Sequence, residues 1–315
     1  MRFCYNHSMF RTFLAIEFIF VLSIFAAAQA KTVLRPVTII SEPNAAVAID
    51  GVAYGRTDAA GKLSVVTIPA GVRKLFVRAP GYSPASQNIP AAQKGQIRIV
   101  LKKTEDPVEL ALQDALRLSL LDRPKAVAAY KKVLELDGKN IEALIGMARM
   151  YSDMNDFDSV AETLVRIRKL APALPEASAI EGRMLHSTEH DDAALKAYQR
   201  AIAQARGFQP EAYTGIGVIF KERAENFGGG IDVEQEAANF TEAAKNWSIA
   251  VKQLGGSPDA VVVYQLLGLI YEEQKKFKQA IDLYEEFLRT FPQSPEAEAV
   301  RSYIIQLKKQ MVSPQ

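Results

Sequence analysis

The residues best placed to do chemistry lie in one pentapeptide, His186-Ser187-Thr188-Glu189-His190. The spacing H-x-x-E-H puts two imidazoles four residues apart. On a continuous helix they would face the same way and could share a zinc ion, with the glutamate as general base toward a metal-bound water. The chemistry would then be metal-assisted hydrolysis of a peptide. The rest of the chain supplies few candidates. Its one cysteine, Cys4, lies at the extreme N-terminus, so later segments have no thiolate for zinc, an iron–sulfur cluster or nucleophilic catalysis. No G-x-x-x-x-G-K-[ST], G-x-G-x-x-G or G-x-S-x-G stretch occurs. Lysines and arginines number 38 against 36 acidic residues, a net charge of +2. Short basic pairs such as Lys275-Lys276 and Lys308-Lys309 are too few and too scattered for a nucleic-acid footprint. Carboxylates are spread along helix-like stretches, as in "DLYEEF" over 282–287, and read as solvated faces or partners of lysines.

The element that carries the pentapeptide decides its meaning. From Pro107 to the C-terminus, apolar and small residues recur at fixed offsets. A unit begun at Val261 has Tyr264, Leu267, Gly268, Tyr271, Ala280, Tyr284, Phe287 and Pro292 at its positions 4, 7, 8, 11, 20, 24, 27 and 32. A unit begun at Ile141 has Leu144, Met147, Ala148, Tyr151, Val160, Leu164, Ile167 and Pro172 there. Units begun at Pro107 and Pro175 continue the register with a period of 34 residues, and a fourth begins near Pro210. Small residues at 8 and 20 let two helices approach closely. Large residues fill the spaces within and between units, and proline near 32 stops the second helix. The pattern resembles the tetratricopeptide repeat (TPR). That resemblance implies an all-α superhelical solenoid in which no unit buries its apolar face without its neighbours. It also places His186–His190 at repeat positions 12–16, where the chain turns between two helices, so the expectation is no catalytic zinc and no cofactor.

In TPRs the groove-facing positions are 2, 5, 9 and 12. The resemblance therefore points to a partner-binding groove formed by Glu142, Ile145, Arg149 and Ser152 in the second unit, Glu176, Arg183 and His186 in the third, and Glu211, Thr214 and Lys221 in the fourth. Arg149 and Arg183 are equivalent, as are Glu142, Glu176 and Glu211. Two readings of these charged rows stay open. They pair with each other across the groove, or they hold an extended peptide or its carboxylate. Relative to the other units, the fourth carries about 14 extra residues near 222–237, including Gly228-Gly229-Gly230. A loop between its helices, or a flap that meets a partner, is expected there. "PEAEAVRSYIIQLKKQ" (295–310) reads as a capping helix, with Val300, Ile304 and Leu307 inward and Arg301, Lys308 and Lys309 wet.

Before the repeats, residues 33–101 alternate with period two. "VTIIS" (37–41), "AAVAID" (45–50), "LSVVTI" (63–68), "RKLFVRA" (73–79) and "QIRIVLK" (96–102) are separated by Pro, Gly, Asn and Asp. Asp50-Gly51 suits the positive φ of a tight hairpin. Six or seven short strands of this kind predict a small antiparallel β-sandwich. "SEPNAAVAIDGVAYGRT" resembles the PEGA domain, and "TDAAGKLSVVTIPAGVRKLFVRAPGY" is similar to carboxypeptidase regulatory-like domains. These resemblances imply a domain without catalytic machinery, acting as a spacer or an adhesion module of the bacterial envelope.

The first thirty residues have a character of their own. Arg2 and Arg11 precede an apolar run over 13–30 that closes in Ala28-Gln29-Ala30. This is the pattern of a secretory signal peptide, with cleavage expected after Ala30. The alternative is an uncleaved anchor, although the run from Phe13 to Ala28 is 16 residues, interrupted by Glu17, and falls short of the roughly 20 that a spanning helix needs. Cleavage would leave 36 basic and 35 acidic residues and no cysteine. The expected organisation is a signal peptide (1–30), a PEGA-like β-sandwich (31–103), a linker (104–107), five repeats (107–140, 141–174, 175–208, 209–256 and 261–294), a cap (295–310) and a tail (311–315). The expected protein is a non-enzymatic, exported scaffold, periplasmic or otherwise associated with the cell envelope. It would bind a protein or peptide and no nucleic acid, and would touch a membrane only through an uncleaved signal segment. The alternative makes the β-domain the working part, attaching to envelope polysaccharide. The reading ranked last is a zinc metallopeptidase.

Overall fold

This computed structural model describes residues 35–226 and 232–312. The expected signal peptide, 1–30, and Gly228, Gly229 and Gly230 lie outside the described residues. Among the described residues no helix is long and apolar enough to cross a membrane.

The β-region begins with β1 (Val37–Ile40), β2 (Ala46–Ile49), β3 (Val52–Arg56), β4 (Lys62–Val65) and β5 (Arg73–Arg78), followed by β6 (Tyr82–Ser83), β7 (Ala85–Ile89), β8 (Gly95–Arg98) and β9 (Lys102–Lys103). One sheet has the order β4-β1-β8, the second β3-β2-β5-β7, and β6 pairs with β9. Alternate residues of both sheets face one core: Val37 and Ile39 from the first, Val47, Ile49, Leu75 and Val77 from the second, all at most 2% exposed. Each such aliphatic side chain contributes about 1.5–3 kcal/mol by leaving water. Asp50 and Gly51 have φ of 50° and 81°, so both central residues of the β2–β3 hairpin are left-handed. One pair departs from the antiparallel expectation. The chain crosses between sheets after β7 and enters β8 parallel to β1. Arg35 closes the end of the sandwich by donating from Nη1 to the carbonyls of Pro69 (2.9 Å) and Gly71 (2.8 Å) and from Nε to that of Gln93 (3.1 Å).

The helices come in pairs: α1 (Pro107–Leu118) with α2 (Arg123–Leu136), α3 (Ile141–Asp153) with α4 (Phe157–Leu170), and α5 (Pro175–Ser187) with α6 (Asp191–Gln204). Then come α7 (Pro210–Asn226) with α8 (Val233–Leu254), α9 (Ala260–Glu273) with α10 (Phe277–Thr290), and α11 (Ala297–Val312). Side-chain caps start several of them. Asp106, Asp122, Asn140 and Asp156 each accept a backbone N–H from the first turn. Inside three pairs the turn is made by a left-handed residue at the same repeat position: Asn155 (φ 57°), Glu189 (φ 61°) and Lys275 (φ 53°). α11 buries Val300, Ile304 and Leu307 against the stack.

The stack is keyed by an aromatic residue at position 24 in every unit but the second, which has Leu164. Tyr198 of α6 lies against Gly182 of α5 and Gly215 of α7. Trp247 of α8 lies against Gly217 and donates its indole N–H to the Thr214 carbonyl (3.0 Å). Tyr284 of α10 lies against Gly268. A methyl group on any of these glycines would enter the ring, which is why position 8, and position 6 at Gly215, stay small. The insertion of the fourth unit is not the loop expected from its glycines. Most of it lengthens α7 and α8, because the polar, alanine-rich run after Asp232 sustains a helix whose N-cap is Asp232 itself.

The apolar core falls into three clusters. The first spans α1 to one face of α5. The second is small and alanine-rich, with Ala179, Ala194, Tyr198, Ala201 and Ala212 around Ile216 and Ile219. The third runs from α7 through α11 and is continuous with the interior of the β-sandwich. The seam between sandwich and helices lies at 254–257. Tyr54 Oη donates to the Leu254 carbonyl (2.8 Å), Ser257 Oγ to that of Ala53 (2.7 Å) and the Gly256 N–H to that of Thr67 (2.9 Å). A Cβ on Gly256 would stand 2.7 Å from the Thr67 oxygen, so this close approach requires glycine.

Candidate functional site

Helices α3, α5 and α7 touch one another as well as their own partners, and so line the inner wall of the superhelix. This wall carries the charged rows. Arg149 of α3 reaches two units ahead and binds Glu211 of α7 in a two-pronged ion pair, at 2.6 and 3.2 Å. Arg183 of α5 meets Asp153 at the end of α3 at 3.2 Å. Partial burial works against the Arg149 cation, but Glu211, Glu176 and Asp153 together hold its pKa above the usual guanidinium value. Asp259, at the start of α9, closes the same ring of charge. Partial burial raises its carboxyl above the ordinary range, Arg149 opposes that shift and Glu211 adds to it.

The ten expected groove residues do not act as one set. Glu142 turns away to Arg78 of β5, which it shares with Glu109 of α1. Ile145 is half-buried against the first core cluster and Ser152 is buried. Thr214 uses its carbonyl to fix Trp247. Lys221 pairs with Glu225 along α7. The pairing across the wall is therefore real, though Arg183 chooses Asp153 rather than the glutamate row. Two residues of α5 keep unused capacity. Arg183 Nε and Nη2 and Glu176 Oε2 are covered from solvent and have no hydrogen-bond partner. Asp153, Asp259 and Arg78 were not among the expected residues. Asp153 stands one position past the last groove position of its helix, Asp259 sits in a connection between units, and Arg78 comes from the β-domain.

The H-x-x-E-H stretch is broken between two helices. α5 ends at Ser187, Glu189 is left-handed and α6 starts at Asp191. His186 Nδ1 lies 2.9 Å from Asp191 Oδ1, while His190 Nδ1 lies 2.6 Å from the Thr188 carbonyl. Each imidazole is thus engaged separately, and among the described residues no group of three His, Cys, Asp or Glu side chains converges on a metal position.

Comparison with known proteins follows the same division of the chain. Models of the tetratricopeptide repeat match residues 122–184 and 231–295, and the model of the PEGA domain matches residues 36–105. The chain carries a PEGA domain and tetratricopeptide repeats. Among solved structures, yeast Tom70 is 20% identical with a TM-score of 0.50, over 65% of this chain and 40% of its own. MamA is 23% identical with a TM-score of 0.39, over 60% of this chain and 94% of its own. PilW, a type IV pilus biogenesis factor, is 14% identical with a TM-score of 0.46, over 66% of this chain and 93% of its own. At these identities the likeness is one of fold. No curated protein sequence matches the chain. The TPR array is a protein-interaction scaffold, and its PEGA domain is built into the C-terminal repeats through a shared core.

Proposed function

We propose that this PEGA–TPR protein is a non-enzymatic, exported scaffold of the bacterial cell envelope that holds an extended segment of a partner protein along the inner wall of its repeats. The five helix pairs then serve as five repeats, with the fourth lengthened. One observation carries the reading. On α5, buried donors (Arg183 Nε and Nη2) and a buried acceptor (Glu176 Oε2), about two turns apart along the helix, are unused. Leaving such groups unpaired costs about 1–3 kcal/mol each, and more when charged. An extended peptide offers both carbonyl oxygens and N–H groups, so it satisfies the two kinds together once the side chains that cover them move aside. Arg149 and Glu211 act as supports, their charges already committed to each other. Export rests on the N-terminal sequence pattern and the PEGA domain.

The test is capture in the native host with a photo-crosslinking residue at Ile145, on the neighbouring helix α3 of the same wall. Arg183→Ala and Glu176→Ala should each lower capture of the same partner at least about tenfold, the equivalent of about 1.4 kcal/mol, while circular dichroism stays unchanged. Unchanged capture by both variants would refute the reading. The alternative of polysaccharide attachment through the PEGA domain is tested on the full chain, since cutting after residue 104 would split a continuous core.

A further inference from the structure

We propose that the molecule is a latched clamp, with Arg78 of the PEGA domain as the latch and the third helix pair as the hinge. Three observations meet here. First, the core is interrupted at the third pair. Where the second and fifth pairs have Leu144 and Met147, or Tyr264 and Leu267, at positions 4 and 7, the third has Ser178 and Glu181. These are satisfied by polar partners instead. Ser178 Oγ donates to Gln204 Oε1 (2.8 Å) and accepts from Arg200 Nε (3.1 Å), and Glu181 is shared by Arg168 and Arg200. A half-wet polar seam with small alanines around it resists bending less than an interlocked apolar one.

Second, the PEGA domain is fused to one side of that seam, since its interior continues into α7–α11. Third, it reaches the other side through polar contacts. Arg78 Nε donates to Glu109 Oε1 of α1 (2.9 Å) and Nη2 to Glu142 Oε2 of α3 (2.9 Å). Gln113 of α1 accepts from the Gly81 N–H and donates to the Tyr82 carbonyl, both at 2.8 Å. Arg78 is 8% exposed and stacks over Phe76, and Glu109 is nearly covered, while Glu142 keeps its outer side in water. One cation between two carboxylates leaves a surplus negative charge near the joint, a device that can let go without either body unfolding. Opening swings α1–α4 away from the rest, breaks the Arg149–Glu211 and Arg183–Asp153 pairs that cross the same joint, and hydrates the inner wall at α5, whichever partner that wall takes.

The test uses the full chain with Cys4→Ser and spin labels at Lys131→Cys on α2 and Gln279→Cys on α10, both exposed. The parent should give one narrow distance. Arg78→Ala should broaden the distribution and shift it to longer values, and the double variant Glu109→Gln with Glu142→Gln should do the same from the other side of the latch. Adding Glu181→Leu, which gives the third pair the apolar residue of its neighbours, should narrow the distribution again. Hydrogen exchange in α1 should quicken about tenfold or more in the latch variants, with the PEGA core and α9–α10 unchanged. The proposal is overturned if the distance is unchanged in the latch variants. It also fails if Arg78→Ala unfolds the PEGA domain while the double glutamine variant keeps the parent distance.

Discussion

Replacing Gly217 by alanine tests the packing logic of the whole array. The added methyl would lie within the van der Waals envelope of Trp247, whose nearest atoms are Nε1, Cδ1 and Cε2, the last at 2.7 Å. The ring cannot retreat freely. Trp247 is 0% exposed, and its N–H is held by the Thr214 carbonyl at 3.0 Å. Alanine gains about 1 kcal/mol over glycine in a helix interior. Overpacking costs about 1–3 kcal/mol, and loss of the buried indole hydrogen bond adds about 1–3 kcal/mol. The expected net loss is about 3 kcal/mol, which at about 2–4 °C per kcal/mol for a large domain lowers the melting midpoint by roughly 6–12 °C. Trp247 is the only tryptophan, so its fluorescence reports unfolding at the site itself. Gly138→Ala is the control. Its Cβ would meet only a backbone oxygen at an ordinary 3.6 Å, so that variant should match the parent or gain a few tenths of a kcal/mol. If Gly217→Ala is as stable as Gly138→Ala, close helix approach is not what the small position 8 provides, and the reasoning fails.

Two further predictions concern the contacts that join the elements. Ser257→Ala removes a fully buried hydroxyl that donates to the Ala53 carbonyl and accepts from the Asp259 N–H, leaving both unpaired. It should cost about 1–3 kcal/mol in denaturant melts and speed hydrogen exchange on both sides of the seam. Asp259 has a raised carboxyl pKa in the folded protein, so its protonated form is favoured there. Its stabilising contribution is present below the unfolded value of 3.8 and is lost as pH rises through the folded value. Asp259→Asn should therefore gain a few tenths of a kcal/mol at pH 7, a small effect because water still screens the side chain. The gain should vanish by about pH 4. A gain that instead grew on acidification would contradict the assignment.

The sequence by itself determined the helix pairs. Position 8 glycines, position 24 aromatics and terminal prolines act within about one repeat, and local spacing records such contacts faithfully. It likewise determined the β-hairpin at Asp50-Gly51, since a left-handed pair of residues is a local demand. The turn inside His186–His190 was legible for the same reason, as the repeat register breaks between two helices there; that Glu189 makes it in the left-handed region is a finding of the structure. Short strands such as β3 and β7 were not legible, because their glycine and polar residues hide the alternation. Only the tertiary structure decided where the charges go. Arg149 spans 62 residues to reach Glu211, and Arg78 spans 64 to reach Glu142. A guanidinium on a helix face has several carboxylates within reach of its sequence pattern. Which one it takes depends on superhelical curvature and on a β-domain folded against the far end of the array, and neither is written in any single repeat.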